Sequence, residues 1–167
     1  MPNWCEGVLK LRGIKKDLLS FAKNVFARHM YGASIIDDSV EIPLDMSINK
    51  YGDVFIPLSI KDDRDWIWFK DSKRMFPTKD IEWHLWNDDT DEEYVVELDV
   101  KQAWDIDTDY LLTLARTYNL DIKITAFELG MRFTREVEIV DNKVIRDKKT
   151  EYGDEYDWEV YDSRLGG

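Results

Sequence analysis

Three well-separated segments of this chain, residues 8–13, 94–104 and 121–128, alternate apolar and polar residues with a period of two. In the first segment Leu9 and Leu11 fall on one side, and the charged residues fall on the other. Such alternation is typical of a strand that buries one face, so the pattern predicts three half-buried strands. With a strand this early in the sequence, we expect no signal peptide ahead of it.

Two further segments have the apolar spacing of amphipathic helices. Residues 15–31 carry apolar side chains at three- and four-residue intervals, and Gly32 is the predicted end of this helix. The second helix is predicted to begin after Asp107, which suits an N-cap. It runs through Tyr118, and Asn119 suits its C-terminal end.

The remaining segments indicate short strands. In the middle of the chain these are residues 35–36, 40–44, 54–60 and 65–70, with prolines that suit strand edges or ends. Residues 76–87 fit either a strand or a helical turn capped by Thr78. Near the C-terminus, residues 133–140 and 144–146 predict a hairpin with a tight turn at 141–143.

The order of these elements predicts an α+β fold. Strand, helix, strands, strand, helix and strand is the order of a ferredoxin-like split β-α-β sandwich. We interpret residues 33–93 as an inserted β-rich middle segment, and the hairpin completes the pattern. The 167 residues fit one domain, of which residues 150–167 are an acidic, aromatic tail.

Several short motifs occur in an order that resembles a known family. The chain opens with Pro2-Asn3-Trp4-Cys5, its long strand ends in Ala103-Trp104, and Gly130-Met131-Arg132-Phe133 precedes the hairpin. This order is similar to that of the YubB type of ferredoxin-like proteins, which is found in phages and plasmids. The resemblance implies the ferredoxin-like fold and an origin in a mobile genetic element. It brings no catalytic residues, and residues 33–93 and the tail depart from it.

The charge of the chain narrows the class of partner. Asp and Glu number 35 against 23 Lys and Arg, which gives a formal net charge of −12. Such a surface repels nucleic acid and anionic lipid, because contacts to phosphate depend on Lys and Arg. The apolar runs are too short to span a membrane. The expected partner is therefore a protein with a basic groove, without direct nucleic-acid binding.

Few residues of the sequence point to catalysis. The single cysteine, Cys5, excludes an internal disulfide, suits a reducing cytoplasm and is interpreted as a buried structural thiol. No G-x-G-x-x-G or Walker A motif occurs, and we expect no cofactor. His84 lies near Glu82, Asp88 and Asp89, so a divalent-metal site is conceivable, although the usual metal-ligand spacing is missing.

Acidic residues concentrate in two clusters, and in the second they alternate with aromatic residues. A rigid row of carboxylates can imitate phosphates, and neighbouring aromatic residues can anchor on a protein partner. The candidate partner-binding residues are Asp88, Asp89, Asp91, Glu92 and Glu93 in the first cluster, and Glu151, Tyr152, Asp154, Glu155, Tyr156, Asp157, Trp158, Glu159, Tyr161 and Asp162 in the second.

These observations favour a non-enzymatic function. The predicted role is an acidic binding protein that occupies a basic, nucleic-acid-binding surface of a host protein, such as a CRISPR effector or another defence nuclease. Two alternatives stay open. One is a small metal-dependent hydrolase or nuclease that uses carboxylates with His84, and the other is a regulatory interaction module without a connection to nucleic acid.

Overall fold

The computed structural model describes residues 3–30, 44–58, 65–86 and 92–167. In order along the described chain, the elements are β1 (Trp4–Ile14), α1 (Lys15–Val25), β2 (Phe26–Met30), β3 (Ser47–Ile48), β4 (Val54–Ile56), β5 (Asp65–Phe69), β6 (Met75–Pro77), β7 (Ile81–Trp83), β8 (Glu93–Ala103), α2 (Thr108–Tyr118), β9 (Asp121–Glu128), β10 (Phe133–Val140), β11 (Lys143–Glu151) and α3 (Tyr156–Glu159). None of the helices in these residues is long and apolar enough to cross a membrane.

The main sheet has six antiparallel strands in the order β11-β10-β9-β1-β8-β6. Its central strand, β1, pairs with β8 from Trp4 opposite Ala103 to Ile14 opposite Glu93, and with β9 on its other side. The strands β2 and β5 form a separate ribbon, and β3, β4 and β7 form a small third sheet. Both long helices pack on one face of the main sheet, which we call the helix face; the other is the open face.

The predicted ferredoxin-like split β-α-β sandwich is wrong for this chain. The described chain is mostly β, with 47% in strands and 19% in three helices, and it is built on a large antiparallel sheet. The difference arises in two places. The middle segment supplies β6 to the main sheet and strands to both smaller sheets, and the C-terminal hairpin adds two long strands to the main sheet. Together these additions outweigh the helical layer.

Several individual elements agree with the sequence prediction. The strands β1, β8 and β9 bury alternate residues, as their period-two patterns predict. Helix α2 begins after Asp107, whose side chain accepts a hydrogen bond from the Tyr110 N–H. It ends at Asn119, which adopts the left-handed conformation with φ of 53°. The hairpin turn is also confirmed, and Asp141 and Asn142 both have positive φ there.

The first helix is shorter than its apolar spacing predicts. It ends at Val25, and Phe26 begins strand β2 instead of continuing the helix to residue 31. The reason is tertiary packing, because the Phe26 ring packs edge-on against Phe69 of β5, with ring centroids 5.0 Å apart. The Lys70 N–H also donates to the Val25 carbonyl, at 2.8 Å. Gly32, the strand predicted at 35–36, residues 40–43 of the strand predicted at 40–44 and residues 59–60 of the strand predicted at 54–60 lie outside the described residues.

Residues 76–87, which fitted either a strand or a helical turn, contribute the end of β6 and all of β7 and protect one edge of the main sheet. The strand β6 pairs with only the last part of β8. Beyond it, the Thr78 N–H donates to the Asp99 carbonyl at 2.9 Å, and the indole N–H of buried Trp83 donates to the Glu97 carbonyl at 3.1 Å. The free edge of β8 is therefore partly capped.

The opposite edge of the sheet, β11, is exposed along nearly its whole length. This strand is rich in cationic residues, and Arg146 pairs with Glu136 on the neighbouring strand. Lysine and arginine on an edge strand oppose the pairing of a further strand. The edge residues with this character are Lys143, Arg146, Lys148 and Lys149.

The core lies between the helix face and the two long helices. The apolar periodicity of these helices and of β1, β8 and β9 predicts twelve core positions, with Val8 set apart as a candidate for the opposite face of the sheet. Val8 is half-buried on the open face. The other eleven predicted positions belong to one buried cluster: Leu9, Leu11, Leu18, Phe21, Val25, Val96, Leu98, Leu111, Leu114, Ile122 and Ile124.

Truncation of one core leucine tests this packing. Leu114→Ala should lower the free energy of unfolding by about 2–5 kcal/mol, because buried methyl groups are lost and a cavity remains. Thr117→Ala, an exposed position on the same helix, should change it by less than about 0.5 kcal/mol. Chemical denaturation monitored by circular dichroism measures both, and equal midpoints for the two variants would contradict the core assignment.

Candidate functional site

The register of the main sheet gathers five strand ends at one end of the molecule. Trp4 at the start of β1 lies opposite Ala103 at the end of β8. Phe133 at the start of β10 lies opposite Glu128 at the end of β9 and Glu151 at the end of β11. We call this the tail end of the sheet, because the acidic tail continues from it.

The acidic tail is a folded segment fixed to the sheet at two places. At its start, the Tyr152 N–H donates to the Arg132 carbonyl at 2.8 Å. The Tyr156 side chain that begins α3 is only 2% exposed and packs edge-on against Tyr152. Near the C-terminus, the Gly166 N–H donates to a carboxylate oxygen of Glu6 at 3.3 Å. The tail therefore has a defined inner side and a defined outer side.

Two aromatic side chains lie on the outer side of the tail. Trp158 is 88% exposed and Tyr161 is 98% exposed. The position of Trp158 follows from helical geometry, since residues two apart in a helix point in nearly opposite directions and Tyr156 points inward. Burying such large apolar side chains in water-free contact would be favourable, so their exposure marks a surface suited to a partner.

Some carboxylates of the tail are already engaged within the molecule. Asp154 forms an ion pair with Arg132 at 2.6 Å, and Asp162 forms one with Arg164 at 3.0 Å. Hydrogen bonding from backbone N–H groups lowers the pKa of Glu155, and the Arg164 side chain lowers the pKa of Asp162. These contacts shape the tail and compensate part of its negative charge.

Other carboxylates have no internal cation. Asp157 and Glu159 lie on either side of Trp158 in sequence, and neither forms an ion pair with a described residue; the same holds for Glu151. All three are exposed. The uncompensated negative charge of the tail is therefore placed directly around its most exposed aromatic side chains.

Trp104 adds a third exposed aromatic residue at the tail end, and it is not among the partner-binding residues predicted from the sequence. It is 61% exposed and has φ of +72°, a conformation that is rare for a bulky residue. Hydrogen bonds hold this backbone, since the Trp104 N–H donates to the Asn3 carbonyl at 2.8 Å and the Ala103 N–H donates to the Arg74 carbonyl. Met131, in the turn between β9 and β10, is exposed at the same end.

The described residues of the first acidic cluster, Glu92 and Glu93, lie at the other end of the sheet. Glu93 begins β8 and pairs with Ile14, ten residues from Ala103 at the tail end of that strand. At about 3.3 Å per residue, the two ends of β8 are separated by roughly 33 Å. Glu92 and Glu93 are exposed, and Asp88, Asp89 and Asp91 lie outside the described residues. Glu92 and Glu93 thus do not form one continuous face with the tail.

Beneath the tail end, a half-buried ionic cluster joins the hairpin to the segment after β8. The Arg135 guanidinium, 13% exposed, donates to Asp105 at 2.9 Å and also to Asp147. The hydrogen bond from Arg135 lowers the pKa of Asp147. A cleft of about 880 Å³ lies beside this cluster. Because these charges satisfy one another, we assign the cluster a structural role in holding the segment that follows Trp104.

His84, the candidate metal ligand, lies between two carboxylates. Its Nδ1 is 3.6 Å from Asp53, and its Nε2 is 3.6 Å from Glu82. The two ring nitrogens point in diverging directions, so these carboxylates cannot share one metal ion with the ring. Across the described ranges, no group of three His, Cys, Asp or Glu residues could hold a metal ion.

The chain was compared with family models, curated proteins and solved structures. No family model matches it, and neither a curated protein nor a solved structure is significantly similar. The resemblance to the YubB type therefore stays an expectation drawn from short motifs.

Cys5 provides a test of packing beneath the tail end. The thiol is fully buried, and burial raises its pKa to about 12, with smaller contributions from Asp105 and Glu128. The folded protein should therefore resist iodoacetamide at pH 8, whereas the urea-unfolded protein should react at one site. Because the thiol pKa is higher in the folded protein, the contribution of Cys5 to stability is fully present below pH 9.0, the ordinary pKa of a thiol. The free energy of unfolding falls as the pH rises above that value. Rapid labelling of the folded protein would contradict this burial.

A second test concerns the hydrolase alternative. We expect the purified protein to leave RNA and DNA intact with magnesium or manganese, because His84 shares no ligand set with the described residues around it. Gel analysis of labelled substrates measures this outcome. Metal-dependent cleavage that His84→Ala abolishes and Cys5→Ala retains would support the alternative instead.

Proposed function

We propose that this protein is a non-enzymatic binding protein that docks its acidic tail onto a basic surface of a partner protein, where nucleic acid would otherwise bind. One observation carries the proposal: Trp158 and Tyr161 are almost fully exposed on a segment that is itself anchored by the buried Tyr156. An anchored segment presents its side chains with little further loss of conformational entropy on binding.

The two kinds of side chain on the tail have different roles in this proposal. Exposed aromatic side chains that fill pockets on a partner act as anchors and slow its dissociation. The uncompensated carboxylates Glu151, Asp157 and Glu159 steer the protein toward a positive groove and speed association. A partner groove built to hold phosphates offers both the positive charge and, between its cations, surfaces on which aromatic rings can stack.

The partner class follows from the overall charge and from the family resemblance. A net charge of −12 opposes direct binding to nucleic acid and favours a protein that binds nucleic acid. The YubB resemblance supports an origin in a phage or plasmid, and the single cysteine suits the cytoplasm. We therefore propose a cytoplasmic inhibitor of a host defence protein, such as a CRISPR effector.

The deciding experiment is competition. The tagged protein is used to capture partners from host lysate, and each purified candidate is then titrated with its own nucleic acid in the presence of this protein. We expect mutually exclusive binding that weakens with added salt, because exposed charges are screened beyond about 10 Å at 0.1 M. A partner that binds the protein and its nucleic acid simultaneously would contradict the mimicry.

Substitutions in the tail separate steering from anchoring. Asp157→Lys with Glu159→Lys should slow association, whereas Trp158→Ala should mainly speed dissociation. Surface plasmon resonance against the captured partner measures both rates.

Matched controls keep the total charge and the loss of aromatic area equal. Asp45→Lys with Glu82→Lys makes the same change in charge at exposed positions outside both acidic clusters, and Trp86→Ala removes another exposed indole. We expect both controls to bind like the unmodified protein. Equal effects from the tail variants and the controls would place the docking surface elsewhere.

A further inference from the structure

A second feature near the tail end is unlike the rest of this acidic surface. On the open face, a cavity of about 410 Å³ is lined by the aromatic side chains of Trp4, Trp66 and Phe76 and by the cations Arg74 and Lys101. Its remaining walls are aliphatic, and no carboxylate among the described residues lines it. A pocket of this size, with apolar walls and few polar groups, is typical of a small-molecule site.

Strand pairing explains why these residues meet. Trp4 alternates with the buried Cys5, so its ring lies on the open face. Phe76 of β6 lies directly opposite Lys101 of β8, and their side chains share that face. The Phe76 ring packs edge-on against the Trp4 ring, with centroids 5.7 Å apart. Residues distant in sequence therefore form one aromatic wall.

The two cations converge on the same aromatic ring. The Lys101 ammonium lies 4.8 Å from the centre of the Trp4 ring, and the Arg74 guanidinium lies 5.7 Å from it. Neither forms an ion pair with a described carboxylate. An aromatic face attracts a cation but does not cancel its charge.

Several other cations on or beside the main sheet are paired with carboxylates. Lys10, Arg12, Lys79 and Lys123 each form an ion pair with a carboxylate. In a chain with 35 acidic and 23 basic residues, carboxylates are plentiful. Two neighbouring cations whose pocket has no carboxylate among its described lining residues therefore provide a local positive site.

The backbone at Arg74 supports a specific placement of this side chain. Arg74 has φ of 58°, which is unfavourable for a residue with a side chain. Its carbonyl accepts the Ala103 N–H at 3.2 Å, and its own N–H donates to the Ser72 carbonyl at 2.9 Å. Such strain persists only where surrounding bonds fix it, and it concentrates at binding sites.

We infer that this pocket binds a small anion that carries a planar aromatic ring, of the size of one purine nucleoside monophosphate. The ring packs against the aromatic wall of Trp4, Trp66 and Phe76, and the phosphate lies at Arg74 and Lys101. Stacking on aromatic side chains and charge-assisted hydrogen bonds to phosphate are the usual means of holding these two parts. A long polyanion is disfavoured, because outside the pocket it meets the net negative surface.

Calorimetric titration of the whole protein with four probes tests both halves of the site. Adenosine monophosphate should bind at least about tenfold more tightly than adenosine or inorganic phosphate alone, since only it uses the ring wall and the cations together. Binding of phosphate as tight as that of the nucleotide would overturn the aromatic part of the assignment. No detectable binding of the nucleotide, or tighter binding of a single-stranded oligonucleotide, would overturn the assignment as a whole.

Variants assign the contacts. Arg74→Gln with Lys101→Gln should weaken nucleotide binding by about tenfold or more and leave adenosine binding unchanged. Trp66→Leu should weaken both ligands. Lys148→Gln with Lys23→Gln removes the same charge at exposed positions away from the pocket and should have no effect. Circular dichroism melting confirms that each variant is folded, and equal effects of the two double variants would contradict the site.

The pocket does not depend on the proposed docking function. Trp158→Ala, which removes a tail anchor, should bind the nucleotide like the unmodified protein. Failure of nucleotide binding would leave the tail proposal intact, and failure of partner capture would leave the pocket intact.

Discussion

The pairing of β1 with β8 on one side and β9 on the other is the constraint on which the rest of this structure depends. Gly7 shows how closely the backbones approach, because a Cβ atom there would lie 2.1 Å from the Thr125 carbonyl oxygen. A shift of one residue in this register would exchange Leu9 and Leu11 with charged neighbours and remove the core. The same register determines which side chains reach the tail end.

Trp4 connects the two candidate sites through different atoms. Its ring lies in the pocket with Lys101 and Arg74. Its carbonyl oxygen lies against Gly166, and a Cβ atom added to that glycine would be only 2.7 Å from the oxygen. Gly166 also has φ of +81°, a conformation that other residues rarely adopt. The end of the tail therefore packs directly on the backbone of Trp4, whose ring forms part of the pocket wall. Contacts to the ring and contacts to the backbone together hold Trp4 in place.

The features that could be predicted from the sequence are those determined by neighbours along the chain. Alternation revealed β1, β8 and β9 because each buries one face, and Asp107 and Asn119 marked the limits of α2 through local hydrogen bonds. Features that depend on contacts between residues far apart in the chain could not be predicted from the sequence. Phe26 lies in a strand and not in the helix because its ring packs against Phe69, 43 positions away. The left-handed backbone conformation of Trp104 has no local signature in the sequence. The inward position of Tyr156 is likewise decided by tertiary packing, although the aromatic composition of the tail had already marked that segment.

The two edges of the main sheet determine how a partner can approach. Many proteins capture an extended peptide as an additional strand, which requires a free row of backbone N–H and C=O groups. Here Trp83 and Thr78 occupy carbonyls along β8, while cationic side chains guard β11. Recognition through backbone pairing is thus discouraged at both sides. A partner that binds the main sheet must therefore contact side chains and not backbone groups. The specificity of such a contact can change by substitution of surface residues without any change in the sheet.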